Sequence, residues 1–237
     1  MAKFAVYTIP PADSLLYQRG SELLGYDVRT GQFLPEDNAT RSALPEFDSQ
    51  WVEKPQTYGF HMTTGYSLYY DPADMPAIEA EMDIVVGCFG QDTHFELTPA
   101  ADPIPFWHGN IVVLHYEPNP AMLMLHTMLT ARINPYGTGS NVNPEQADPV
   151  RAMRVKHFHT PYMLDGWECH FSLMYPYTGS QSEAMKQALL ELFPPEPLTV
   201  NSICLLVRDD DETHYRLHRE YELARCHEQT DTATAVE

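Results

Sequence analysis

The sequence predicts an α+β fold: two pseudo-symmetric lobes, each an antiparallel sheet with flanking helices, and an active-site cleft between the sheets. Three observations lead there. Short runs of period-two alternation are separated by helix-period stretches and by turns rich in Pro, Gly, Asn and Asp. Two segments of matching pattern, His61-Met62-Thr63-Thr64 and His170-Phe171-Ser172-Leu173, each lie inside a strand-like stretch. Each is followed, in the same order, by a helix and then by a pair of strands, as a duplicated two-layer unit would be.

The elements follow in order. Lys3 to Ile9 alternates and reads as a strand. Pro10-Pro11-Ala12 turns the chain, and Asp13 or Ser14 caps a helix whose apolar face is Leu15, Leu16, Leu23 and Leu24. Arg29 to Pro55 reads as a long loop, the kind that more often forms a lid or rim than a connector. Tyr58 to Tyr70 is the first motif strand, and Asp71-Pro72-Ala73-Asp74 opens a helix that runs to Gly87 or Gly90. His94 to Leu97 is a strand, extended by Pro103 to Trp107 and paired with Asn110 to Tyr116. Ala121 to Ile133 is a Met- and Leu-rich core helix. Asn134 to Val150 is a loop. Val155 to Pro161 reads as a short strand, and Trp167 to Tyr177 as the second motif strand. Ser180-Gln181-Ser182-Glu183 has the form of a capping box for a helix to Leu192. Leu198 to Arg208 and His214 to Leu223 form a closing hairpin across an acidic turn. The whole, residues 1–237, reads as one domain of two intertwined lobes, with motif strands near 58–70 and 167–177 and a disordered tail at 227–237.

Composition narrows the function classes. The chain has 237 residues, 43% of them hydrophobic, enough for a sizeable core rather than a disordered segment. Its start enters a strand directly, without the apolar region of a signal peptide. No apolar run is long enough to span a membrane. Cys88, Cys169, Cys204 and Cys226 form no CxxC pair, which suits reduced thiols in the cytoplasm. The net charge is −19. A long nucleic acid is therefore excluded, because no basic stripe is present to neutralise its phosphates. A small anion remains admissible, since a few local donors outweigh a distant, salt-screened field. A monomer is expected.

The two motifs carry the chemistry. Alternate side chains share a face in a strand, so His61 and Thr63 point one way, as do His170 and Ser172. Each strand then offers an imidazole and a hydroxyl about 7 Å apart. Phosphodiester hydrolysis needs one group to take a proton from the attacking oxygen and another to give a proton to the leaving oxygen. Two histidines do both near neutral pH. In-line displacement requires them to face each other across the phosphorus, with hydroxyls donating to the non-bridging oxygens. The plain alternative is a pair of sheet histidines, each satisfied by a backbone carbonyl.

The paired pattern resembles the two-histidine (2H) phosphoesterase superfamily, defined by two copies of His-x-Thr/Ser followed by an apolar residue. His170-Phe171-Ser172-Leu173 fits fully; the first copy has Thr64 at the apolar position. The segments Phe4-Ala5-Val6-Tyr7, Gly20-Ser21-Glu22-Leu23-Leu24-Gly25-Tyr26-Asp27 and Tyr58-Gly59-Phe60-His61 are similar to a branch of that superfamily associated with bacterial phosphonate-utilisation operons. The resemblance implies a bilobal duplicated α+β fold, no cofactor or metal, and hydrolysis of a cyclic phosphodiester or related substrate. On that basis His61 and His170 share acid and base roles, and Thr63 and Ser172 hold the phosphoryl oxygens. The substrate would be a 2′,3′-cyclic phosphate, a cyclic nucleotide or a short oligonucleotide.

Aromatics near the motifs are candidates for stacking a base: Tyr66, Tyr69 and Tyr175. Strict alternation places Tyr69 on the His61 face but takes Tyr66 off it, and takes Tyr175 off the His170 face. His157 and His159 would share a face of their strand and give a metal-dependent hydrolase as a weaker reading, although no carboxylate stands at ligand spacing. Arg151, Arg154 and Lys156 form a basic spot. A binding module that holds a phosphorylated small molecule without turning it over is the remaining alternative.

Overall fold

The computed structural model describes residues 1–90, 92–146 and 148–223, so the expected tail at 227–237 lies outside the described residues. β1 (Lys3–Thr8) is buried along its whole length, which marks it as a central strand. Ser14 caps α1 (Leu15–Leu24), its hydroxyl accepting from the Tyr17 amide, and left-handed Gly25 ends it. β2 (Tyr26–Asp27) and β3 (Gln32–Phe33) form a separate small hairpin. The stretch read as a loop carries two short helices, α2 (Ala39–Ser42) and α3 (Glu53–Gln56). Then come β4 (Met62–Tyr69), α4 (Met75–Gly87), β5 (Glu96–Pro99), β6 (Phe106–Trp107), β7 (Ile111–Pro118) and α5 (Pro120–Ile133). The chain continues with α6 (Pro149–Phe158), β8 (Cys169–Met174), α7 (Ser182–Leu192), β9 (Leu198–Thr199), β10 (Ser202–Arg208) and β11 (Arg216–Glu222).

All the larger strands join one antiparallel nine-stranded sheet in the order β11-β10-β1-β4-β8-β7-β5-β9, with β6 on β7. The two motif strands, β4 and β8, are neighbours at its centre. Their ladder is a single pair, Met62 opposite Phe171. Four strands, β11, β10, β1 and β4, lie on one side of that junction, and five, β8, β7, β5, β9 and β6, on the other. Each motif strand has its own flanking partner, β1 for β4 and β7 for β8. The two halves are interleaved in the chain. The β10–β11 hairpin, last in sequence, extends the β4 side, and β5 and β7 extend the β8 side.

Helices seal one face of the sheet on each side of the junction. On the β4 side, α5 covers the strand, and the buried residues Ile78, Met82 and Val85 of α4 and Leu125 and Leu129 of α5 join Phe4, Val6 and Leu68 in the core. On the β8 side, Phe60 stacks on Phe171 at 4.8 Å and on Phe193 at 6.1 Å, next to α1 and α7. Gly20 of α1 is required there, because a Cβ at that position would run into the Phe60 ring.

Three local expectations are corrected. Val155 to Pro161 is not a strand: α6 covers its first part, capped by Asp148 with Pro149 in the first turn, and His159 ends it in the left-handed conformation. Helical geometry removes the alternation that put His157 and His159 on one face. The capping box at α7 does not form. Glu46 takes that role from far upstream, its carboxylate accepting from the amides of Ser180 and Gln181. Leu198 to Arg208 is two strands, β9 and β10, rather than one.

Candidate active site

The single Met62–Phe171 pair fixes how the motifs meet. Directly opposed residues share a face, and both of these are fully buried. Alternation then turns His61 and Thr63 of one strand, and His170 and Ser172 of the other, to the opposite face. All four sit around the same junction, and all four are half-buried.

The two imidazoles are held alike. His61 Nδ1 lies 2.8 Å from the carbonyl of Gly59, and His170 Nδ1 lies 3.0 Å from the carbonyl of Glu168. A carbonyl only accepts, so each Nδ1 is the protonated nitrogen and each Nε2 carries the lone pair. The backbone bond anticipated as the plain alternative is thus present in both strands, and it engages only one nitrogen of each ring. The left-handed turn at Gly59 (φ 71°) aims the carbonyl at His61, and a Cβ there would strike Val28.

Aromatic rings fix both imidazoles further. Tyr7, on β1 opposite Thr63, stacks on His61 with ring centres 3.7 Å apart. Trp107 meets His170 edge-on at 4.8 Å and His115 at 5.2 Å, and His115 lies directly opposite His170 in the β7–β8 ladder. Burial pushes the His61 pKa down to about 4, against the pull of the Gly59 carbonyl; the nearby His170 lowers it further. His170 is also lowered, first by burial, with Glu168 and its carbonyl opposing and His115 assisting. The charge of one imidazole is therefore felt by the other. Thr63 Oγ1 lies 3.4 Å from His61 Nε2, at the long limit of a hydrogen bond.

Thr64, the residue that departs from the apolar pattern, is fully buried on the core face. Its hydroxyl bonds that of Thr8 at 2.7 Å, which satisfies both polar groups. Its carbonyl accepts from His126 Nδ1 at 2.8 Å. His126 stacks on Trp167 at 4.2 Å, and the Trp167 indole donates to the Thr63 carbonyl. This clamp presses the middle of β4 against the chain leading into β8.

The three candidate tyrosines separate. The β1–β4 ladder slips by one residue on each side of Gly65, between Thr63 and Leu68. A bulge of this kind reverses alternation. Tyr66 accordingly turns to the His61 face, its ring 5.8 Å from that of Tyr162; burial raises its pKa, with Tyr162, Tyr58 and Tyr215 adding to the rise. Tyr69 is at the far end of β4, bonded to Asn141 and lying over the Lys3 ammonium. Tyr175 follows the end of β8, its amide bonded to the Trp51 carbonyl and its ring 4.3 Å from Lys54 Nζ. Among the described residues, neither Tyr69 nor Tyr175 forms a hydrogen bond or ring pair with a motif side chain. Tyr7, Trp107 and His115, which do adjoin the imidazoles, were not singled out by the motif pattern. Phe4-Ala5-Val6-Tyr7 lies in the first strand, but only the ladder register reveals which of its residues meets His61.

The basic spot on α6 is mostly neutralised. Arg154 bonds Asp165 and the Met163 carbonyl, and Arg151 pairs with Asp148. Among the described residues, no three His, Cys, Asp or Glu side chains come together as a metal-binding group. No helix among them is long and apolar enough to cross a membrane. Cys88, Cys169 and Cys204 are free.

No protein-family model matches the chain, and no curated protein matches it by sequence. Among solved structures, the chain is similar to a protein described as a phosphoesterase, at a TM-score of 0.48 and 13% identity, over 94% of this chain and 98% of that one. It is also similar to Escherichia coli LigT in complex with 3′-AMP (TM-score 0.46, 15% identity, 94% and 99% covered). LigT in complex with phosphate gives a TM-score of 0.45 at 14% identity, over 94% and 98%. Likenesses this distant assign no activity.

Proposed function

We propose that the chain is a phosphoesterase of the 2H type that hydrolyses a small cyclic phosphodiester without a metal. One observation carries the reading. Two imidazoles, one at the start of β4 and one in the adjacent β8, each commit Nδ1 to a carbonyl two residues upstream and leave Nε2 unengaged by the backbone on a shared face, with only the long Thr63 contact on His61. A core pair of histidines has no need of that duplication. In the reaction, one Nε2 takes a proton from the attacking water as the new P–O bond forms. The other, carrying a proton, gives it to the leaving ester oxygen as the old P–O bond breaks. The product is a phosphomonoester, and the two imidazoles have exchanged protonation states. Thr63 and Ser172 donate to the non-bridging oxygens, where charge builds. Tyr7 and Trp107 hold the rings in place, so little reorganisation remains at the moment of reaction.

A panel of nucleoside 2′,3′-cyclic phosphates and 3′,5′-cyclic nucleotides, followed by phosphorus NMR in excess chelator, tests the proposal. Ring opening by the wild type, and its loss in His61→Ala and His170→Ala, is the expected result. Saturable binding with no product would point instead to a binding module, and activity that disappears with chelator would point to a metal.

A further inference from the structure

The same face of the β4 side carries two cations that the two-histidine chemistry does not use. Lys3 on β1 and Arg208 on β10 are directly opposed in the ladder, so they share a face. Lys3 is two alternations from Tyr7, which puts both cations on the face that stacks on His61. Lys3 is only 4% exposed. Arg208 is half-buried, and its Nε is buried with no hydrogen-bond partner. Among the described residues, neither forms an ion pair, in a chain of net charge −19. The acids nearest in sequence are committed elsewhere: Asp209 to Arg216, and Asp210 to the amino group of Met1.

What does surround the pair is polar and aromatic. Lys3 Nζ lies 4.2 Å from the Tyr69 ring centre, and the Arg208 guanidinium lies 5.7 Å from that of Tyr215. The Tyr215 hydroxyl and Ser67 Oγ are 2.5 Å apart. Burial raises the pKa of the Tyr7 and Tyr215 phenols, with Arg208 opposing on both. Cation–ring contacts are worth roughly 0.5–2 kcal/mol and do not neutralise a charge. A buried, unpaired cation is costly, and two side by side more so. An anion between them would remove that cost.

We infer that Lys3 and Arg208, with Ser67 and Tyr215, form a second anion subsite on the same face of the sheet, which takes a phosphate monoester carried by the substrate. The inference rests on the phosphoesterase reading and names its substrate class: a small cyclic phosphodiester bearing a second phosphate. Tyr7 and Lys3 are roughly 13 Å apart along the strand, which sets the order of the separation between the two phosphates. Packed rings link the two ends of this face: Arg208 lies over Tyr215, Tyr215 is 6.1 Å from Tyr7, and Tyr7 is 3.7 Å from His61.

The test compares adenosine 2′,3′-cyclic phosphate with the same nucleotide carrying a 5′-phosphate. The wild type should prefer the doubly phosphorylated form by roughly ten-fold or more in kcat/KM, the gain expected of charge-assisted hydrogen bonds. In Lys3→Met and Arg208→Met that ratio should fall toward one. Arg208→Lys, which keeps the charge and loses the fork, should retain part of it and controls for folding. No preference in the wild type, or a ratio unchanged in both Met variants, overturns the subsite. A calorimetric titration of inorganic phosphate into His61→Ala/His170→Ala protein separates the two readings where neither nucleotide is hydrolysed. Saturable binding that Lys3→Met/Arg208→Met removes sustains the subsite; absent or unchanged binding ends it.

Discussion

At the residue scale, the site is a matter of which nitrogen is free. Both Nδ1 atoms are committed to carbonyls, so under the proposed two-histidine reading the loss of either imidazole leaves the other without a counterpart. His61→Ala and His170→Ala should each lower kcat/KM by about 10²–10⁴, and the double variant should lose little more than the worse single one, since the two act as a unit. Steady-state kinetics on one cyclic substrate check this. Burial lowers both pKa values from the ordinary 6.5, so in the free enzyme the singly protonated pair is most populated on the acid side of that value. The kcat/KM profile should therefore be a bell centred below pH 6.5, and a flat profile would exclude paired imidazoles. The Thr8–Thr64 bond gives a third expectation. Thr8→Val or Thr64→Val strands a buried hydroxyl and should cost about 1–3 kcal/mol. The double variant, which removes both, should recover most of that in thermal melting. That His61 shares a face with Thr63, and His170 with Ser172, was legible in the sequence because their spacing is local. Tyr7 and Trp107 were not, because what makes them neighbours of the imidazoles is strand register.

At the element scale, local periodicity served well wherever a segment obeyed one period. β1, β4, β7, β8, α4, α5 and α7 all lie where alternation or helical spacing put them. It failed where the period broke. The slips around Gly65 return Tyr66 to the His61 side against simple counting, and a bulge leaves no mark in alternation. α6 was misread because Asp148-Pro149, a good cap and first-turn pair, ends a loop already rich in Pro and Asn. The bond from Glu46 to the start of α7 spans the chain and has no local signature. One contact ties helix to motif: Gly20 of α1 lies against Phe60, and Phe60 against Phe171 of β8. A Gly20→Ala methyl group must displace that ring, and overpacking of this kind costs about 1–3 kcal/mol. The variant should melt at a lower temperature. Its kcat should fall as well, because Phe60 precedes His61 and stacks under the second motif strand.

For the whole molecule, the question is what holds two half-sheets together when their ladder is a single pair. Part of the answer is the clamp made by His126, Thr64, Trp167 and Thr63. His126 is 2% exposed, donates from Nδ1 to the Thr64 carbonyl, and leaves Nε2 buried without a partner. A proton on that nitrogen would put an unpaired charge between α5 and the sheet. Burial accordingly lowers its pKa to about 4, with the Thr64 carbonyl opposing. The sign follows directly. Between about pH 6.5 and 4 the unfolded chain binds a proton at this position that the folded chain refuses. Stability is fully present above the unfolded value, falls as pH drops through the window, and levels off below about 4. The size is on the order of 3 kcal/mol for this group. His61, lowered for the same reason, acts in the same window and in the same direction. Denaturant melts at pH 7 and pH 4.5 should therefore differ by several kcal/mol in the wild type. Replacing His126 with Gln, which keeps a donor for Thr64 and cannot take the proton, should remove about half of that dependence, leaving the share of His61, while lowering stability at pH 7. An unchanged pH dependence in His126→Gln would show that the clamp does not titrate. Because the clamp joins β4 to the chain leading into β8, the same acid shift should loosen the geometry between His61 and His170 before the chain unfolds, and activity should be lost irreversibly only where the melts show unfolding.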